Sequence, residues 1–333
     1  MNVLITGGAG FIGLHLARYH VNRNDSVTIL DSMFKTDGAI DPELEQFRTN
    51  PLVEVIPVDL TGPLQLQRPS AVDIVYHLAA INGTRLFYEI PYQVARTNLA
   101  ITMNLLDWLG DISVGRLVYS STSEVYAGAM EIGALVVPTD ETVPVVFPQP
   151  TSERFSYGTS KFMGEFLCSQ FGKQAGVPTS VIRYHNIYGP RMGTKHVIPE
   201  FFLRLFARET PFRIFGGNET RAFCYIGDAV EATHKVADTP ECVGEIVHIG
   251  NANEEIAIEK LAIMMMDLTG ERFPILEQGR RASSVGRRCP NTEKLKRLTG
   301  FEAKTGLREG LQTTLAWYWA HFQQSTPTAQ GRV

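Results

Sequence analysis

Tyr157 and Lys161 stand four residues apart in Tyr157-Gly158-Thr159-Ser160-Lys161, which places a phenol and an ammonium on one face of a helix. A free tyrosine titrates near 10 and is a poor base at neutral pH. A lysine cation beside it favours the phenolate and moves it toward the working range. Tyr-x-x-x-Lys alone recurs by chance in helices. Its weight comes from the hydroxyl-rich run Ser120-Ser121-Thr122-Ser123-Glu124-Val125-Tyr126, which ends 31 residues before Tyr157. If that run closes a parallel strand, its hydroxyls sit at the edge where such sheets bind ligands. Thr122 is then the candidate to hydrogen-bond a substrate hydroxyl that Tyr157 deprotonates, with Ser120 and Ser123 beside it. Glu124 adds a carboxylate, which as a purely structural group would only cap the turn.

A second constellation is Thr6-Gly7-Gly8-Ala9-Gly10-Phe11-Ile12-Gly13, between the apolar run Val3–Thr6 and an amphipathic stretch. Gly7, Gly10 and Gly13 recur every third residue. Side chains in such a turn would keep backbone N–H groups from a pyrophosphate; those amides and the positive end of a helix dipole make an anion site. Phe11 and Ile12 belong to the same cradle. Asp31 closes the next run, 18 positions after Gly13. A carboxylate there accepts both hydroxyls of an adenosine ribose and repels a 2′-phosphate, which indicates NAD rather than NADP. Asp59, followed by Leu60, reaches the adenine edge in the same reading.

Both constellations need a sheet to position them. The runs Val3–Thr6, Val27–Asp31, Val53–Val58, Ile74–Leu78, Arg116–Ser120 and Ser180–Tyr184 are nearly continuous in apolar residues and alternate with helical patterns. That is the signature of strands covered on both faces. The expected fold is α/β: a Rossmann-type doubly wound parallel sheet with a smaller C-terminal substrate-binding lobe. Residues 1–177, with a later contribution from about 222–250, are expected to carry the coenzyme. Residues 178–322 are expected to be mainly the substrate lobe, and 323–333 a disordered polar tail.

The 333 residues are 44% hydrophobic and 20% charged, enough for a real core and unlike a disordered or fibrous chain. With 31 basic and 35 acidic residues the net charge is −4, without the basic surplus of a nucleic-acid binder. No apolar run approaches the roughly 20 residues of a membrane span. Met1–Thr6 reads as a strand and leaves no room for a signal peptide. Cys168, Cys224, Cys242 and Cys289 form no C-x-x-C pair and suit free thiols, so a cytoplasmic protein is expected. No His/Cys/carboxylate grouping has metal-ligand spacing, so no metal is expected. Met264–Met266 sits in a helical pattern and reads as core.

Further motifs accompany these: His77-Leu78-Ala79-Ala80, Asn98, Arg183-Tyr184-His185-Asn186-Ile187-Tyr188-Gly189-Pro190-Arg191, Thr220-Arg221-Ala222-Phe223, and Gly310-Leu311 with Trp317-Tyr318. Over nearly its whole length the chain therefore resembles extended short-chain dehydrogenases/reductases, of the branch that modifies nucleotide sugars. The resemblance implies a transient oxidation, in which Tyr157 takes the proton of a sugar 4-hydroxyl while hydride passes from C4 to NAD⁺. Lys161 then orients the nicotinamide ribose, and together with the positive ring it holds Tyr157 as phenolate. The resemblance also places Leu78, Ala79, Ala80, Asn98 and Ser120 along the coenzyme. Asn186, Arg191 and Arg221 are implied to hold the nucleotide-diphosphate sugar, joined by Arg288 from the cluster Arg280, Arg281, Arg287 and Arg288. A homodimer through helices near Pro91–Asp111 and Tyr157–Gly172 is expected by the same analogy.

A 4-keto sugar can be epimerised, dehydrated across C5 and C6, or decarboxylated if C6 is a carboxylate. Thr122-Ser123-Glu124 resembles GDP-mannose dehydratase and UDP-glucuronate decarboxylase forms. It departs from the Thr-Asp-Glu of dTDP-glucose dehydratases, because Ser123 is a weak acid. Glu124 is the candidate base at C5. The proline-containing stretch from Ala127 to Phe155 is expected to form a lid over the sugar, and Asn82-Gly83-Thr84 to face the same cleft. His185 beside Asn186 reads as a satisfied, partly buried histidine. Net dehydrogenation, or coenzyme binding without turnover, are the alternatives; the intact Tyr157/Lys161 pair argues against the latter.

Overall fold

The computed structural model describes residues 1–34, 41–280 and 285–325. Seven parallel strands form the central sheet: β1 (Asn2–Thr6), β2 (Ser26–Asp31), β3 (Val53–Pro57), β4 (Ala71–His77), β5 (Ser113–Thr122), β6 (Thr179–Tyr184) and β7 (Ile246–Ile249). Their spatial order is β7-β6-β5-β4-β1-β2-β3. The principal helices are α1 (Phe11–Val21), α2 (Pro91–Leu109), α3 (Ser156–Ala175), α4 (Val197–Phe206), α5 (Ile226–Asp238) and α6 (Leu307–Ser325).

Alternate residues of each strand feed two cores. On one face Ile5 and Ile29 pack with Leu14 and Leu16 of α1 and Val230 and Val236 of α5. On the other, Leu4, Val75 and Leu117 pack with Leu105 of α2 and Cys168 of α3. Burying each large aliphatic side chain contributes roughly 1.5–3 kcal/mol, so covering both faces explains why the strands read as continuous apolar runs. The strand order reverses between β1 and β4, and the crevice at their C-terminal ends is where such sheets bind ligands. A third core gathers Phe202, Phe212, Met265, Met266 and Leu311 from residues after β6, with Met264 partly buried against it, so the methionine run packs into a core as expected.

α6 continues to Ser325, past the expected end at Phe322, so residues 323–325 are helical. The rest of the expected tail, 326–333, and Arg281 lie outside the described residues. The stretch 127–155 differs from the expected lid. Its Thr139 N–H donates to the Cys289 carbonyl at 2.8 Å, and the Thr139 carbonyl accepts from the Asn291 N–H at 2.6 Å. The stretch is thereby tied to the segment after Arg288, and none of its residues lines the cleft. All four cysteines are buried free thiols. Among the described residues no helix is long and apolar enough to cross a membrane, and no group of three or more side chains could hold a metal.

Candidate active site

A cleft of about 880 Å³ opens at the C-terminal ends of β1, β4 and β5. It is lined at one end by Gly7, Gly10, Phe11, Ile12, Gly13, Asp31, Asp59 and Leu60, and along its middle by Leu78, Ala79, Ala80, Asn82, Gly83 and Ser120. The far end carries Thr122, Ser123, Glu124, Tyr157, Lys161, Asn186 and Arg288. Residues 281 positions apart thus share one continuous surface, because parallel strands deliver their following loops to a single edge.

The glycines divide their work. Gly7 has φ +71°, and a Cβ on it would lie 2.7 Å from Ala79 N; a Cβ on Gly13 would lie 2.4 Å from Gly7 O. These two let the loop fold against the turn after β4 and against itself. On Gly10 a Cβ would stand 3.1 Å from Gly7 O, a tighter approach than side chains usually make, so the bare backbone there keeps the turn close and open to the cleft. Phe11 and Ile12 open α1, so their N–H groups belong to the first turn, which has no intrahelical acceptors. Asp31 accepts from Ala9 N–H at 3.0 Å and from Met33 N–H at 2.9 Å, which fixes its carboxylate at the mouth. An anion cradle at a helix N-terminus with a carboxylate at the end of the next strand, lining the same cleft, fits NAD.

His77 braces this half. Its Nδ1 is 2.7 Å from Thr6 Oγ1 and its Nε2 is 3.0 Å from Thr102 Oγ1, while Thr6 Oγ1 accepts from Ala79 N–H at 3.2 Å. Full burial lowers its pKa to about 3, so it is a neutral strut that aims Leu78–Ala80 into the cleft. Asn98, expected along the coenzyme, is instead buried and does not line the cleft. It accepts from Ile81 N–H at 2.7 Å and donates to Ile81 O at 3.2 Å and Ser160 Oγ at 3.1 Å, joining the loop after β4 to α3. It positions cleft residues without lining the cleft.

Tyr157 and Lys161 lie on one face of α3, both buried. Phe87 stacks on Tyr157 with ring centroids 4.8 Å apart, a contact the sequence reading missed because nothing in its spacing marks it. Burial pushes the Tyr157 phenol above its ordinary value and the Glu124 carboxylate adds to this, with a hydrogen bond to Asn82 working the other way. The expected acidified phenol is therefore not produced by the protein's neighbouring groups. Burial lowers Lys161 to about 8, and its Nζ stands 4.6 Å from the Tyr119 ring centroid. Thr122 ends β5, and its Oγ1 accepts from Glu124 N–H at 3.2 Å, capping the turn that presents Ser123 and Glu124.

Glu124 is clamped between two guanidiniums, with Arg288 Nη1 2.7 Å from Oε1 and Arg154 Nη1 2.6 Å from Oε2. Burial alone would raise its pKa; Arg288 and then Arg154 outweigh that and pull it to about 2. Arg154 was not anticipated, since it lies in the irregular stretch before α3. Asn186, in the left-handed region at φ 44°, donates to Ala222 O at 3.0 Å and still lines the cleft.

Two arginines expected to hold substrate do not line the cleft. Arg221 donates to its neighbour's carbonyl at 2.8 Å and pairs with Glu219 at 3.2 Å. Arg191 reaches the glycine loop instead, donating to Ala9 O at 3.1 Å, because the left-handed backbone at φ 69° turns it that way. His185 is buried against the His248 ring, 4.4 Å away, and burial keeps it neutral, well below the usual histidine range. It is not the satisfied histidine expected from sequence, since neither ring nitrogen has a hydrogen-bond partner among the described residues.

This geometry has counterparts. Residues 3–250 match the model of the NAD dependent epimerase/dehydratase family. The chain is 32% identical over 325 residues to UDP-N-acetyl-alpha-D-glucosaminuronate decarboxylase of Bacillus cytotoxicus, covering 95% of this chain and 97% of that one. It is 31% identical to UDP-glucuronic acid decarboxylase 5 of Arabidopsis thaliana, covering 93% and 87%. Among solved structures, dTDP-glucose 4,6-dehydratase of Streptomyces venezuelae with NAD bound superposes with TM-score 0.83 at 26% identity, covering 97% and 98%. UDP-glucuronic acid 4-epimerase of Bacillus cereus, bound to its substrate and NAD, gives 0.80 at 26%, covering 96% and 100%. The glycine cradle, the Tyr157/Lys161 pair and these likenesses agree: the chain is an NAD-dependent enzyme and belongs to the NAD dependent epimerase/dehydratase family.

Proposed function

We propose that the enzyme oxidises a UDP-linked uronic acid at C4, removes C6 as CO₂ and reduces the resulting 4-ketopentose. The observation that carries this is the Glu124–Arg288–Arg154 cluster. Two guanidiniums around one carboxylate leave one net positive charge, and Arg288 brings it to the cleft beside Tyr157. An arginine fork matches a carboxylate. Dehydration across C5 and C6 needs an acid for the C6 hydroxyl. Ser123 is a poor one, and Glu124, held as the anion, has no proton to give. The same low pKa makes Glu124 a weak base at C5, so its role is to fix the two guanidiniums.

When bound, NAD supplies a reversible acceptor for hydride from the sugar C4. Tyr157 accepts the C4 hydroxyl proton and Thr122 hydrogen-bonds that oxygen. Lys161, on the same face of α3, would hold the coenzyme ribose. Tyr157 would be drawn toward the phenolate by the positive charge of the bound coenzyme, which the protein's own groups do not replace. The C4 ketone then lets the C5–C6 bond break, its electron pair passing into a C4–C5 enolate as CO₂ leaves. A proton adds at C5, C4 is reduced, and Tyr157 returns its proton, with no net redox change.

Incubation with UDP-glucuronate in D₂O tests this. A UDP-pentose that has lost CO₂ and carries one deuterium at C5 is the expected product. An isomer that keeps C6 and gains no deuterium would identify a uronate 4-epimerase, the second reading, which the Bacillus cereus likeness favours because it shares the need to hold a carboxylate. The enzyme is also proposed to work in the cytoplasm, given its buried free thiols, and as a homodimer. Tyr92 and Met103 on α2 and Phe166 on α3 are 71%, 47% and 56% exposed and offer an apolar face for a second copy.

A further inference from the structure

Arg191 connects the glycine loop to distant parts of the chain. Its Nη1 donates to Ala9 O at 3.1 Å and Gly10 O at 3.4 Å, its Nη2 pairs with Asp41, and its Nε lies 3.7 Å from Glu43 Oε2. Glu43 also accepts from Arg18 on α1 at 2.8 Å and from the indole N–H of Trp317 on α6 at 2.7 Å. The guanidinium is 12% exposed, and its backbone is held in a conformation that side-chain-bearing residues rarely adopt.

The contact bears on the anion cradle. The Gly10 carbonyl and the Phe11 N–H belong to one rigid peptide plane, so holding that oxygen sets the direction of that N–H. Ala9 is gripped from both sides, its N–H by Asp31 at 3.0 Å and its carbonyl by Arg191. We infer that Arg191 is a positioning residue for the coenzyme: a latch, braced by Asp41, Glu43 and Trp317, that keeps the glycine loop in its phosphate-holding shape and slows the escape of NAD. A reaction that returns its hydride regenerates NAD⁺ at each turnover, so slow escape costs it nothing. The inference rests on transient oxidation and not on the loss of CO₂.

The test is the NAD dissociation rate of the full-length holoenzyme, measured without sugar, together with the NAD content of the purified protein. Arg191→Met should release NAD roughly tenfold faster and purify with less of it, as expected when one partner of a largely buried charged contact is removed. Arg191→Lys should recover part of the effect, since an ammonium can reach one acceptor but not several. Trp317→Phe keeps an aromatic ring and loses the donor to Glu43; a smaller acceleration, about two- to threefold, is expected. Dissociation within twofold of wild type in Arg191→Met would overturn the inference, as would wild-type dissociation with a raised KM for the sugar nucleotide. If Arg191→Met does not fold, Glu43→Gln and Trp317→Phe decide it, and wild-type dissociation in both overturns it. Failure of the decarboxylation reading would leave these rates unaffected.

Discussion

Arg288 Nη1 lies 2.7 Å from Glu124 Oε1, joining the short strand Arg287–Arg288 to the turn after β5 across 164 residues of sequence. With Arg154 on the other oxygen, the Glu124 carboxylate is held between two guanidiniums.

Glu124→Gln should destabilise the protein by about 2–4 kcal/mol, because it leaves two partly buried guanidiniums facing each other. The folded-state pKa, about 2, lies below the ordinary glutamate value of 4.5. The stabilisation is therefore fully present above pH 4.5 and is lost as pH falls toward 2. Urea denaturation of both proteins should show a constant difference at pH 5–8 (about three units of pH) that narrows on further acidification.

Arg288→Met should lower kcat/KM for a UDP-uronate by about a hundredfold, since a carboxylate loses a charged partner. Binding of a neutral UDP-hexose, followed by calorimetry, should weaken far less. Equal losses for both ligands would place Arg288 on the diphosphate instead of C6.

Tyr157→Phe should reduce turnover by roughly 10²–10⁴-fold, the usual worth of a positioned acid–base group, with coenzyme affinity little changed. Lys161 sits at about 8 because it is buried, so its cation is lost as pH rises through that value. Wild-type kcat should accordingly fall on the alkaline side with an apparent pKa near 8. A rate that keeps rising to pH 10 (about the free tyrosine value) would show that the lysine charge is not needed.

Asp31→Ala should weaken NAD binding about tenfold or more and erase the preference over NADP, because the repulsion of a 2′-phosphate is gone. The variant also loses the acceptor for Ala9 N–H, so part of the effect comes through the loop. Fluorescence titration with both coenzymes checks this.

The sheet was legible because strands buried on both faces leave continuous apolar runs, and β1–β6 lie where those runs fall. The glycine loop, Asp31, Thr122, Tyr157 and Lys161, which short spacings single out in the sequence, all line the one cleft. What stayed hidden depends on distant contacts. No local pattern shows that Glu124 meets Arg154 and Arg288, the contacts on which its proposed role as a fixed anion rests. The left-handed backbone at Arg191 redirected an arginine assigned to the sugar, and a motif position such as Asn98 does not reveal whether a side chain touches a ligand or braces the loop that does. The stretch 127–155 read as a lid because its length and prolines carry no record of the Thr139 hydrogen bonds that fasten it elsewhere.

Those Thr139 bonds have a bearing on the order in which the enzyme matures. Every strand of the main sheet is complete by Ile249, so a nascent chain can assemble its coenzyme half before Arg288 has left the ribosome. Only when residues 288–291 dock beside Thr139 does Arg288, the cation proposed to meet the sugar's acid group, reach Glu124. Synthesis from one end to the other would thus complete the proposed grip on the sugar after the strands of the sheet have all been made.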